Sequence, residues 1–119
     1  MNEARNSKQY DLEERTLKFS REAITFVKSL PRNISNAEIA NQLIRSATSI
    51  GANYIEANES LGKKDFLMRV KICRKEAKET IYWLKLAEPR KADERRREWL
   101  IAEATELMKI FGSIVEKAK

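Results

Sequence analysis

Residues 39–55 read IANQLIRSATSIGANYI, seventeen positions with a single charge, Arg45, in a chain that is 35% charged overall. Ile39, Leu43, Ser46, Ile50, Asn53 and Ala57 recur at the 4-3-4-3 spacing of one helix face, and Ala40, Ile44, Ala47, Gly51 and Tyr54 widen it. A surface helix of a small domain normally sets such a stripe against a charged outer face. Here the outer positions are Asn41, Gln42, Thr48, Ser49 and Ala52 beside Arg45. The segment therefore predicts a helix covered on more than one side. Central burial within one bundle is one covering; a second copy laid over the outer face is the other. Charge depletion with a few hydrogen-bonding groups retained favours the second, and makes Asn41, Arg45, Thr48, Ser49 and Ala52 the candidate oligomer interface. Arg45 then needs a carboxylate from a neighbouring helix or chain, with Glu56 and Glu59 among the candidates, because a lone buried cation is costly.

The flanking sequence repeats the helical pattern three more times. The chain has 119 residues, enough for one core, with only three Gly and two Pro. Asp11-Leu-Glu-Glu14 has the form of a capping box, followed by Leu12, Thr16, Phe19, Ala23, Phe26 and Leu30 in seam positions, with Ile24 and Val27 beside them. Pro31 ends this helix, since the residue before a proline is pushed out of the α region. A second box, Ser35-Asn-Ala-Glu38, opens the helix already described. Asn58 and Gly62, both tolerant of the left-handed conformation, mark the turn after it. A third helix is predicted over 63–87, with Phe66, Val70, Cys73, Ala77, Thr80, Leu84 and Ala87 on its seam and Pro89 beyond. Asp93 caps the fourth, whose seam is Leu100, Ala104, Leu107, Phe111, Ile114 and Ala118. Spacings near 3.5 and short connections at 31–35, 59–62 and 88–92 predict an all-α, antiparallel up-down-up-down four-helix bundle over 11–119, after a flexible N-terminal segment at 1–10.

Several chemistries are missing. The chain has no histidine, which removes the commonest general base and metal ligand. A di-iron bundle needs Glu-x-x-His pairs, and Cys/His zinc sites fail for the same reason. No phosphate-cradling glycine loop is present. Cys73 lies on a core seam, where a thiol is packing. The expectation is a protein with no catalytic residue, metal or cofactor, and so not an enzyme. One cysteine, no apolar run of membrane-spanning length and no signal-peptide core point to the cytoplasm, with no membrane partner.

The net charge of +6 is concentrated. Residues 36–62 hold one basic and three acidic groups, and residues 63–87 hold eight and three. Lys71, Lys75, Lys78, Tyr82 and Lys85 form one row on the third helix, with Arg74 beside them and Lys63, Lys64 and Arg69 towards its start. The row reads in two ways. It can contact several phosphates, with Tyr82 stacking on a base or sugar. Alternatively it is a solvated face, with Glu79 paired to Lys75 and Glu76 near Lys78. A second basic cluster, Arg90, Lys91, Arg95, Arg96 and Arg97, opposes the macrodipole of the last helix and so is not there to stabilise it. It reads equally as a phosphate contact or as a salt bridge to another protomer, and Glu88, Asp93, Glu94 and Glu98 offset much of it. Trp83 and Trp99 read as packing anchors.

The run RSATSIGANYIEAN at 45–58 resembles the helix-two signature of the small bacterial four helix bundle protein family, through Arg45, Ala47, Ser49, Ile50, Asn53, Ile55 and Glu56. Ala57-Asn58 departs from that family's usual Glu-Gly step, and 66–80 is similar to its third helix. The resemblance implies kinship with proteins encoded in intervening sequences of 23S rRNA genes, sometimes labelled S23 ribosomal proteins, and with accessory proteins of diversity-generating retroelements. It implies a ring-like homo-oligomer, five copies being the best single number, and no catalytic residues. Two functions follow as expectations. The first is binding of structured, rRNA-like RNA, or DNA, through the basic third helix. The alternative is a scaffold for a nucleic-acid enzyme such as a retroelement reverse transcriptase, with little nucleic-acid affinity of its own.

Overall fold

A computed structural model describes residues 3–118, with side chains from Asp11 to Ala118. Its helices are α1 (Glu3–Ser29), α2 (Ile34–Asn58), α3 (Lys63–Leu86) and α4 (Glu94–Lys117), with a 3-10 turn at Lys91–Asp93 before the last. Side-chain bonds fix the directions. Glu13 and Ser20 of α1 meet Asn58 and Ala47 of α2. Ser46 and Asn53 of α2 meet Thr80 and Arg69 of α3. Along both pairs residue numbers fall on one helix as they rise on the other, so neighbours are antiparallel. Arg15 with Glu103, and Lys18 with Trp99, close α1 onto α4 in the same sense. The result is the up-down-up-down four-helix bundle. Packing is most extensive between α2 and α3 and between α3 and α4, and least between α1 and α4.

The core follows the predicted seams closely, with Leu12, Phe66 and Ala118 only half-buried at their ends. Phe19, Phe26, Leu43, Ile50, Val70, Leu84, Leu100, Leu107 and Phe111 are fully buried. Burying each such side chain contributes about 1.5–3 kcal/mol. On α2 Tyr54 is buried where Asn53 was expected, and Asn53 is only half-buried; on α4 Val115 is buried where Ile114 was expected. A straight helix drifts about 20° per heptad from a 3.5 repeat, so a residue next to the predicted one can take its place at such positions, while Ala57 keeps the predicted phase on α2.

The caps differ from the expected ones. α1 begins at Glu3, so Asp11-Leu-Glu-Glu14 lies inside the helix and caps nothing. No proline or glycine precedes Asp11 to stop the helix from extending backwards. Of the ten residues expected to be flexible, 3–10 continue the α1 backbone, and Met1 and Asn2 lie outside the described residues. The cap of α2 is Asn33, whose Oδ1 accepts from Asn36 N at 2.8 Å, while Ser35 is already helical. No described residue has positive φ, so neither Asn58 nor Gly62 is left-handed. Glu59 closes α2 at φ −94°, the Asn58 amide donates instead to Glu13 at 2.8 Å, and Gly62 is extended at the start of α3. Asp93 stands at the start of α4 as expected, but its side chain makes no capping bond.

Asn36 replaces those caps as the tie at this end of the bundle. It is 2% exposed. Its amide donates to Pro31 O at 2.8 Å and Glu88 O at 3.0 Å, and its Oδ1 accepts from Glu88 N at 3.0 Å. One side chain thereby binds the α1–α2 connection to the α3–α4 connection. A buried amide with these bonds made is stabilising only as a complete set.

Candidate nucleic-acid interface

α3 exposes Lys71, Arg74, Lys75, Lys78, Tyr82 and Lys85 along one side. At 1.5 Å per residue the row from Lys71 to Lys85 is about 21 Å long. None of these cations takes part in a salt bridge among the described residues. Their acidic neighbours explain why. Glu76 and Glu79 belong to the same helix but point towards α2, where Arg45 holds both. Arg45 Nη1 donates to Glu76 Oε1 at 3.3 Å, and Nη2 pairs with Glu79 Oε2. Trp83 Nε1 donates to the same Glu79 oxygen at 3.0 Å. The pairing that the alternative, solvated-face reading supposed, Glu79 to Lys75 and Glu76 near Lys78, is therefore not what the fold makes, and the carboxylates serve Arg45 instead of the lysines. Glu56 and Glu59, the candidates for Arg45 from its own helix, are not its partners.

The first half of the row is not wholly polar. Leu67, Met68 and Ile72 floor an open groove of about 760 Å³ between Lys64, Lys71 and Lys75. Tyr82, 58% exposed, sits edge-on against Trp83 with ring centroids 5.1 Å apart. Arg74 leans the other way, its Cδ 3.5 Å from where a Cβ on Gly112 of α4 would lie.

The second basic cluster divides. Arg90, Lys91 and Arg95 are exposed, and Arg96 is half-buried. Arg97 donates to Ala87 O at 2.8 Å, so it satisfies a carbonyl at the end of α3. The α2 positions behave as a face. Asn41, Gln42, Arg45 and Ala52 are exposed, while Thr48 and Ser49 are half-exposed and bond their hydroxyls back to their own helix. Ile55 on the same helix is 50% exposed.

Cys73 is buried, donates to Ile50 O at 3.4 Å, and burial pushes its thiol up to about 12. No helix among the described residues is long and apolar enough to cross a membrane.

The family whose sequence model is described as 23S rRNA-intervening sequence protein matches residues 8–113. The chain belongs to that family. One solved relative is a protein of unknown function from the S23 ribosomal protein family of Bacteroides thetaiotaomicron, 29% identical, covering 87% of this chain and 96% of that one with a TM-score of 0.72. No curated protein matches. The span matched to the 23S rRNA-intervening sequence family reaches into all four helices, while the solved relative, itself of unknown function, lends no site residue.

Sequence reasoning missed Asn36, the Glu76–Arg45–Glu79 cluster, the Arg69–Asn53 bond at 3.0 Å and the apolar floor beside the lysines. A signal for Asn36 was present: it stands seven residues before Leu43, fourteen before Ile50 and twenty-one before Ala57, in core phase. For the ion cluster there was no comparable signal, because pairing across helices needs the register.

Proposed function

We propose that the chain works without catalysis, as a homo-oligomer that offers the basic face of α3 to structured RNA. The observation that supports this reading is the sorting of charge on α3: Lys71, Lys75, Lys78 and Lys85 stand unpaired on one side, and the acids of the same stretch are engaged on the other. Uncompensated cations in a row are what a phosphate backbone requires, and each neutralised phosphate releases counterions. Tyr82 and the floor of Leu67, Met68 and Ile72 give bases or sugars an apolar surface beside those charges. The exposed, uncharged α2 face is the matching site for another copy. Five copies is the number that the family resemblance suggests, and repetition of a weak patch around a ring raises its grip on one polymer. Arg90, Lys91 and Arg95 extend the positive surface beyond the end of α3.

The test is fluorescence anisotropy with a labelled 23S rRNA fragment across a salt series, with duplex and single-stranded DNA as competitors. Wild-type protein is expected to bind at low salt and to weaken with a slope of about −0.7 to −0.9 per phosphate contacted. Lys71→Glu/Lys75→Glu/Lys78→Glu is expected to lose binding with the oligomer mass unchanged. Failure of the wild type to bind at low salt would overturn the reading and leave a protein partner, such as a reverse transcriptase, as the role to pursue.

A further inference from the structure

We infer that Arg45 is a positioning residue for polyanion binding, although it lies on the neighbouring helix and off the lysine row: its fork holds Glu76 and Glu79 on the α2 side of α3, so that the lysines meet the ligand uncompensated. The inference rests on the proposed RNA contact of α3.

The geometry carries it as follows. Glu79 stands four residues after Lys75, one helical turn away, which is the spacing at which a carboxylate pairs with a lysine on its own helix. It does not do so here. Arg45 Nη2 and Trp83 Nε1 hold its Oε2 towards α2. Glu76 is the more enclosed of the two, with 12% of its side chain exposed against 30% for Glu79, and Arg45 Nη1 donates to it. One guanidinium spans two carboxylates because its nitrogens diverge in a fixed fork; a lysine ammonium is a single point charge. Gln42 Oε1 accepts from Arg45 Nε at 3.2 Å and helps to aim the fork. If Arg45 is removed, Glu79 keeps only the neutral Trp83 Nε1 as a partner and Lys75 competes for it, and Glu76 becomes an uncompensated negative charge within a Debye length of the row. Both changes subtract from the field that a phosphate would meet.

The experiment repeats the anisotropy titration with the labelled 23S rRNA fragment on four further variants, each checked for oligomer mass. Arg45→Gln is expected to weaken binding about tenfold at 0.1–0.2 M salt and to flatten the salt slope by roughly 0.7–0.9, one phosphate contact. Arg45→Lys keeps the net charge and is expected to fall between Arg45→Gln and wild type. Lys28→Gln removes the same charge from exposed α1, across the bundle from α3, and is expected to cost less than about twofold because the charge is screened at that distance. Arg45→Gln/Glu76→Gln/Glu79→Gln is expected to return to within about twofold of wild type, although Arg45 is still absent. The inference is overturned if Arg45→Gln matches Lys28→Gln, or if the triple variant stays as weak as Arg45→Gln. Loss of binding in the three-lysine variant beside an unaltered Arg45→Gln removes this inference alone. A three-lysine variant that still binds removes the α3 reading and this inference with it.

Discussion

α2 and α3 are adjacent antiparallel helices of nearly equal length, 25 and 24 residues, yet their outer faces are opposites. α2 shows Asn41, Thr48 and Ala52, with its mid-helix charge, Arg45, exposed but paired to two carboxylates of α3. α3 shows a row of lysines and draws its mid-helix acids aside. The same salt-bridge cluster clears both faces. It neutralises the cation on one and draws the anions off the other, leaving a surface of low net charge beside a positive one. Charge segregation on this bundle is therefore a property of the α2–α3 seam and not of either helix alone. Partly exposed ion pairs of this kind contribute little to stability, so their consequence is where the remaining charge stands.

The largest effect expected from this contrast is on assembly. Thr48→Glu/Ala52→Glu puts charge on the α2 face at positions that the folded bundle leaves open to solvent. Light scattering should find a helical protein reduced to the 13.9 kDa monomer, while charge reversal on α3 leaves the mass alone. An unchanged mass in the α2 variant would mean that its face is merely solvated. Next in size is the polar tie at the end of the seam. Asn36→Ala strands Glu88 N and two carbonyls and should cost about 2–4 kcal/mol in urea unfolding. Asn41→Ala, on the exposed side of the same helix, should stay within about 0.5 kcal/mol.

The two mid-helix glycines give smaller effects of opposite sign. A Cβ on Gly51 would lie 2.9 Å from Thr16 Oγ1 and 3.2 Å from its Cβ, and Thr16 is buried with its hydroxyl bonded to Leu12 O at 2.8 Å. Gly51→Ala should therefore destabilise by about 1–3 kcal/mol through forced separation of α1 from α2. On Gly112 the nearest atom is the flexible Arg74 Cδ at 3.5 Å, so Gly112→Ala should gain about 0.5–1 kcal/mol from helix propensity. Equal responses at the two sites would show that α1 and α2 are not in close contact at Gly51.

The parts that were legible in the sequence are those set by local chemistry. Leu43 and Ile50 on one phase, Leu100, Leu107 and Phe111 on another, and Pro31 between helices are written in residue order, because helix period and proline geometry act within a few residues. The row Lys71, Lys75, Lys78, Tyr82 and Lys85 was legible for the same reason. Caps were less so. Asn33 and Ser35 are both good N-cap residues two positions apart, and only the path of the chain after Pro31 chose between them.

The sequence by itself thus determined four amphipathic helices, their antiparallel order and the basic row on α3, since each follows from spacing along one chain segment. Tertiary structure alone decided that Asn36 is buried 52 residues from its partner Glu88, and that Arg45 takes the carboxylates 31 and 34 residues away and not those of Glu56 or Glu59. Such choices depend on the register of α2 against α3. A shift of one turn, 5.4 Å, would give every polar side chain a different neighbour while leaving each helix unchanged.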